Sequence, residues 1–237
     1  YCLVGSEMCI RDRFHDLGSI PYDFRIDADF ATAWRDAAQK RGLSARTVAY
    51  KGFPIDTGSV VALKLLNPDN AIPAVICSSN VYADRAETLV LGKAARDVLE
   101  ETGKTAVAIS VMSLSNRLFT DFVDPADDRI HSQKDDEWNR KILEFLEDGR
   151  LEDIAQLSRE IQRQIRVHKV VNFKSMWWLS ALMGQHNHYD GTVHAYEPIV
   201  GTGAAVVGLK PLADQRGDRE FDEDDVEVYA GVQEVLD

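Results

Sequence analysis

The run ISVMSLSNRLF, residues 109–119, reads as an apolar strand that ends in a polar turn holding Ser113, Ser115 and Asn116. In α/β proteins ligands and reacting side chains gather at the carboxyl ends of strands, so these three stand where chemistry is expected. None is by itself a strong acid, base or metal ligand. Neither serine sits in a G-x-S-x-G elbow that would make it a nucleophile, so hydrolase chemistry has no support. A second candidate is IDTG, residues 55–58, where Asp56 and Thr57 lie in a turn framed by Gly and Pro. A carboxylate there either caps the next helix through backbone N–H groups or orients a substrate. GQHNHYDG places His186 and His188 two residues apart, which on a strand would put both rings on one face, as a metal site requires. The run follows a helix, is rich in turn residues and has no neighbouring carboxylate of obvious fit, so a solvated loop is the default expectation. GTGAA, residues 201–205, lacks the later glycine and the following helix whose N-terminal amides would hold a phosphate. A tight turn between strands is expected there instead.

The elements that must position these residues follow from hydrophobic spacing and punctuation. FRIDADFATAWRDAAQKRG reads as a strand entry and a helix, with Asp29 as N-cap and Gly42 as stop. ARTVAY is a strand, SVVALKLL a helix or buried segment, and PAVICSS a short strand. YADRAETLVLGKAARDVLEETG carries apolar residues at helical spacing and ends at Gly103. TAVAISVM is then a second buried strand feeding the polar turn. Three helical stretches follow: DDEWNRKILEFLEDG, LEDIAQLSREIQRQIRVH and NFKSMWWLSALMG. In the last, Trp177 and Trp178 cannot point the same way; one is expected in the core and the other in a cleft or subunit contact. GTVHAYEPIVGTGAAVVGLKPL closes the pattern as two β runs joined through Gly201 and Gly203. Strands alternating with helices indicate an α/β fold, with a mixed, largely parallel central sheet flanked by helices in a single domain.

Composition bounds the partners. With 237 residues, 45% of them hydrophobic, the chain can bury one sizeable core, and no apolar run approaches the roughly 20 residues a bilayer span needs. The net charge of −12 argues against nucleic-acid and anionic-membrane partners. Residues 213–237 carry −8 of that charge. They read as an acidic C-terminal tail, either solvated or forming a short helix from about Asp224 that would turn Val226, Tyr229, Val232 and Val235 to a partner. Cys2, Cys9 and Cys77 have neither disulfide-scaffold nor zinc spacing, and a cytoplasmic setting is expected. The opening YCLVGSEMCIRDR resembles translated sequencing adapter, so residues 1–13 are read as a non-native leader and the first strand or strands of the domain as missing.

Several motifs together carry a family resemblance: YKGFPIDTGSVVALKLL, SSNVY, SLSNRLF, DPADDRIHSQKDDEWNRKILEFLEDG, NFKSMWWLSALMG and GTGAAV. In this order they resemble the class III extradiol ring-cleavage dioxygenases, over residues 14–212, and most nearly the α-type subunits of the family's heteromeric aminophenol enzymes. The resemblance implies a mixed sheet flanked by helices, and Fe(II) held by two His and one Glu with open positions for a small aromatic substrate and oxygen. It also implies a further His as general acid/base. The acid/base position matches Asn116, the iron-binding Glu falls near Lys169 and Val170, and the two iron-binding His lie in the portion expected to be missing. What the resemblance implies is therefore a non-catalytic chain that does not itself bind the iron and pairs with a homologous catalytic β-type subunit. Two other readings stay open. In one, the full-length chain is an active extradiol dioxygenase that recruits His168 or the His186 and His188 pair as ligands. In the other, it is a non-enzymatic small-molecule-binding or scaffold protein.

Overall fold

The computed structural model describes residues 2–4, 23–48, 55–78, 82–112, 114–115, 117–164, 173–185, 187 and 189–212, with backbone alone at 2–4 and 159–164. Backbone contacts divide the chain into two compact units that meet in sequence at Val111 and Met112.

The first unit begins with β1 (Cys2–Val4), which pairs parallel with β2 (Arg46–Val48) and antiparallel with β3 (Ile76–Ser78). The segment read as a leader thus supplies the middle strand of a three-stranded mixed sheet with the order β2-β1-β3. A parallel bridge joins Ile26 to Ala74 where the sequence suggested a strand entry. Helix α1 (Ala28–Lys40) starts two residues earlier than expected: Asp27, not Asp29, is the N-cap, accepting from Phe30 N at 2.9 Å, while Asp29 lies in the first turn. Asp27 is better placed because its carboxylate also meets the Lys104 ammonium. Burial raises the Asp27 pKa, but the Lys104 and Phe30 hydrogen bonds outweigh it and the net shift is downward. Gly42, at φ 86°, follows the helix end as expected.

Helix α2 (Thr57–Leu66) buries only Val60 and leaves Leu65 and Leu66 largely exposed. Helix α3 (Arg85–Thr102) opens with a reciprocal capping box between Asp84 and Glu87 and closes on Gly103 in the left-handed conformation. It packs against α1 through a nearly continuous buried stripe that includes Leu91, Ala94, Ala95 and Val98. A smaller core joins Phe24, Ile55, Val60 and Ile76. TAVAISVM, expected as a buried strand, is not one: residues 104–112 pair with no strand among the described residues, and Val107 is 84% exposed. Apolar, β-branched composition favours a strand only where a neighbouring strand offers its edge.

The second unit is built on α4 (Gln133–Glu147), α5 (Leu151–Gln164) and α6 (Lys174–Met183), with a hairpin of β4 (Tyr189–Ile199) and β5 (Thr202–Pro211). The buried stripe of α4 recurs at Asp135, Asn139, Ile142, Leu143 and Leu146, the spacing of one helix face. It lies against α5 and the hairpin. The turn joining β4 to β5 holds Val200 and Gly201 at φ 50° and 91°, the positive values a two-residue hairpin turn requires. GTGAA is thus a hairpin turn running into β5, as expected. The described strands therefore give helices with small sheets, compatible with an α/β class.

Candidate functional site

Asp56 and Thr57 belong to the first unit. Asp56 is the N-cap of α2: its carboxylate accepts from Ser59 N at 2.9 Å and from Ser59 Oγ at 2.6 Å. Thr57 is the first helical residue behind it. Of the two roles open to Asp56, capping is the one its geometry displays. A Cβ on Gly58 beside it would approach Val111 Cγ1 to 2.7 Å, so a side chain there would require Val111 to shift.

In the second unit the polar turn is represented by Leu114 and Ser115; Ser113 and Asn116 lie outside the described residues. Ser115 is fully buried, and so is Asn139 on α4, which meets it twice. Ser115 N donates to Asn139 Oδ1 at 2.8 Å, and Asn139 Nδ2 donates to Ser115 Oγ at 3.2 Å. The same Nδ2 donates to Tyr196 Oη at 3.1 Å, and Tyr196 in turn donates to Asp136 at 2.7 Å. Arg140 completes the chain, pairing with Asp136 at 2.8 Å while its guanidinium lies 5.2 Å from the Tyr196 ring centroid. Gly203 opposite has room for no side chain, since a Cβ would fall 2.6 Å from the Tyr196 ring and 2.7 Å from Asn139 Nδ2. On the solvent side Asp136, Arg140 and Tyr196 line an open cleft of ≈ 500 Å³ with Asp128, Arg129 and Glu197.

The electrostatics follow from this packing. Burial first, and then the hydrogen bond to the Asp136 carboxylate, push the Tyr196 phenol up to about 12. Burial works against ionisation of Asp136 too, but the hydrogen bonds from Arg140 and Tyr196 prevail and hold its pKa below the ordinary value. A raised phenol pKa contributes stability that is whole below the unfolded value near 10 and is lost as pH climbs through about 12. A tyrosinate absorbance titration of the chain minus that of Tyr196→Phe is expected to show a midpoint about two units above free tyrosine. A difference midpoint near 10 would mean that the Asp136 contact is not kept in solution.

His168, His186 and His188 lie outside the described residues. Asn187, between the last two, is half-buried rather than solvated. Its Oδ1 accepts from Glu152 N at 3.0 Å and Asp153 N at 3.2 Å, and its Nδ2 donates to Asp153 at 2.9 Å, so it caps α5 from 35 residues away. One carboxylate that sequence order kept apart from GQHNHYDG, that of Asp153, is thereby brought to Asn187, and it also pairs with Arg150 at 2.5 Å. The Glu152 carboxylate accepts from Ser180 instead. Of the two tryptophans, Trp177 docks on α5 through Ala155 O at 3.1 Å and Ser158 Oγ at 2.9 Å. Neither Trp177 nor Trp178 is fully buried, which corrects the expectation of one core and one cleft residue.

Sequence reading missed Asn139, Tyr196 and Asp136. A signal existed: the buried face of α4 opens with Asp135 and Asn139 where an amphipathic helix would carry apolar residues, and a polar side chain on such a stripe needs a partner.

A family model described as the catalytic LigB subunit of aromatic ring-opening dioxygenase matches residues 5–207, across both units. The chain belongs to the LigB family of ring-opening dioxygenases. Among curated relatives of this LigB-family chain, the 2-aminophenol 1,6-dioxygenase alpha subunit of Pseudomonas sp is 36% identical over 201 residues, covering 84% of this chain and 72% of that one. The beta subunit of 2-aminophenol 1,6-dioxygenase from Pseudomonas sp is 29% identical over 205 residues, covering 82% of this chain and 66% of that one. Extradiol dioxygenases of this family generally depend on Fe(II). Among the described residues no three His, Cys, Asp or Glu side chains converge as a ligand set, and the two described histidines are placed elsewhere, His131 stacked on Phe119 and His194 over Gly208. No helix among the described residues is long and apolar enough to cross a membrane.

Proposed function

We propose that this LigB-family chain is a non-catalytic α-type subunit of a cytoplasmic, heteromeric Fe(II)-dependent extradiol dioxygenase acting on 2-aminophenol- or catechol-type rings. Its partner is a homologous β-type subunit that carries the iron and the chemistry. The observation that carries the reading is Asn116 at the position matching the family's acid/base histidine. An asparagine amide neither gains nor loses a proton near neutral pH, whereas imidazole does both. Lys169 and Val170, near the position of the family's iron-binding glutamate, offer a cation and an aliphatic group where ferrous ion needs a carboxylate. Greater identity to an alpha than to a beta subunit supports the same assignment. The reading carries with it the family's largely parallel central sheet, and leaves Asp56 and Thr57 as pocket-wall rather than reacting residues.

The test is turnover. The full-length chain, purified alone and supplied with Fe(II) and 2-aminophenol, is expected to open no ring, and the activity is expected on adding the β-type subunit. Ring opening by the chain alone would refute the proposal. Stoichiometric iron in that preparation, lost on replacing His168, would point instead to an active enzyme with a recruited ligand.

A further inference from the structure

Two arginines border the cleft of the second unit, and each rests on an aromatic ring. Arg129 has its guanidinium 5.5 Å over Phe119, whose ring is itself stacked on His131 at 5.1 Å. Arg140 lies 5.2 Å from the Tyr196 ring centroid and is tied to Asp136 through Nε alone, at 2.8 Å. Among the described residues the Nη groups of neither arginine meet an acceptor. Of the three carboxylates on the same rim, two are spent. Asp128 holds the hairpin turn, accepting from Val200 N at 2.5 Å and Gly201 N at 3.2 Å, and Asp136 accepts from Arg140 and Tyr196. Glu197 has no partner among the described residues.

Stacking accounts for where each guanidinium rests. It does not account for two forks with unused donors around one cavity of a chain whose net charge is −12. A guanidinium held over a ring by its neighbours has already lost much of its rotamer freedom, so a planar oxyanion that meets its Nη groups adds little further ordering. The cleft volume of ≈ 500 Å³ lies within the roughly 300–1,000 Å³ of small-ligand sites. What remains uncommitted on the rim is two cations and one carboxylate, the complement of a ligand that carries an oxyanion and a donor together.

We propose that this cleft binds a small carboxylate with an amino group beside it, the carboxylate on Arg129 and Arg140 and the amine on Glu197. The class of ligand follows from the subunit reading, on which this part rests. When both atoms of oxygen enter an aminophenol ring and the bond next to the hydroxyl carbon breaks, that carbon becomes a carboxylate and its former neighbour an aldehyde. The uncharged substrate thus gives an anion that keeps its amine. A site that selects for the carboxylate therefore separates product from substrate by charge, on a chain that does no chemistry itself.

The test titrates the full-length chain alone with 2-aminobenzoate, which shares the ring and amine of 2-aminophenol and replaces its hydroxyl by a carboxylate. Arginine Nε–H resonances followed by NMR are expected to saturate with a dissociation constant of about 1 mM, as one charge-assisted fork in an open cleft supports. 2-Aminophenol should give no saturable shift at about tenfold that concentration. Arg129→Gln and Arg140→Gln are each expected to weaken binding about fivefold or more, and Arg129→Lys, which keeps the charge and loses the fork, by less. Glu197→Gln should weaken 2-aminobenzoate and leave benzoate unchanged. Equal binding of 2-aminophenol, no saturable binding of 2-aminobenzoate, or affinity unchanged in the arginine variants would overturn the proposal. Inorganic phosphate displacing 2-aminobenzoate with equal affinity would mean an adventitious ion only and overturn it too. If Arg140→Gln does not fold, the exposed Arg129 carries the test by itself. Absence of binding leaves the subunit assignment standing, and ring opening by the chain alone leaves the carboxylate site standing, so the two ideas fail separately.

Discussion

Gly191→Ala is expected to destabilise the second unit by about 3 kcal/mol or more, among the larger effects of adding one methyl group. Gly191 lies where β4 begins to cross the end of α4. A Cβ built on it falls 2.0 Å from Leu146 O and 2.8 Å from Glu147 O, and both obstacles are backbone atoms of a helix end. Flexible side chains can swing away; these carbonyls cannot move without opening the last turn of α4. The approach is shared by Gly149, earlier in the chain, where a Cβ built at φ 72° would fall 2.0 Å from Tyr189 O. Two backbones therefore touch where α4 turns into α5, and the absence of two side chains lets the hairpin dock. Gly208→Ala is the control: its nearest obstacle is the far end of the His194 ring at 2.9 Å, which can rotate, so it should cost under about 1 kcal/mol. Denaturant unfolding followed by far-ultraviolet circular dichroism reads both variants. Equal midpoints for Gly191→Ala and the parent chain would mean that the hairpin does not sit on α4 as described.

Much of this architecture was legible in the sequence, because most elements are set by local rules. The ends of α3 follow from Asp84, Glu87 and Gly103, each of which satisfies backbone groups within a few residues. The hairpin follows from two β runs around a glycine. What was not legible depends on atoms far apart in the chain. The choice of Asp27 over Asp29 as N-cap turns on Lys104, 77 residues away. Asn187 capping α5 looks, in sequence, like one residue of a polar loop. TAVAISVM was misread because hydrophobicity reports a wish for burial, and a strand needs a partner edge as well. The candidate site divides along the same line. Asp56 as a cap was readable from its neighbours, whereas Asn139 could be recognised as a partner of Ser115 only once α4 and the polar turn were laid together. The resemblance to ring-opening dioxygenases depends on ordered residue types and not on contacts, so it was available from the sequence, and the match over residues 5–207 agrees with it.

In the first unit the corresponding test is Trp34→Ala, with an expected loss of about 3–5 kcal/mol. Trp34 is 3% exposed at the centre of the α1 stripe formed with Ala31 and Ala38. Its indole N–H crosses to α3, donating to Leu91 O at 2.9 Å, so one side chain ties the two helices both by area and by direction. Small residues flank it on both sides, and they let the helices approach closely around a single large ring. Truncation would leave a cavity that alanines cannot fill by relaxing. Trp34→Phe separates the contributions: it keeps an aromatic body, gives up the indole N–H, and should cost about 1–2 kcal/mol. Phe30, whose ring lies 6.1 Å from that of Trp34 and tilted by 58°, has the Lys104 ammonium 5.8 Å over its own face, so it is held in place and cannot swing in to fill the gap. A Trp34→Ala chain that unfolds at the same denaturant concentration as the parent would show that the seam between α1 and α3 contributes little, and the core of the first unit would then have to be sought in the cluster around Phe24 and Ile76.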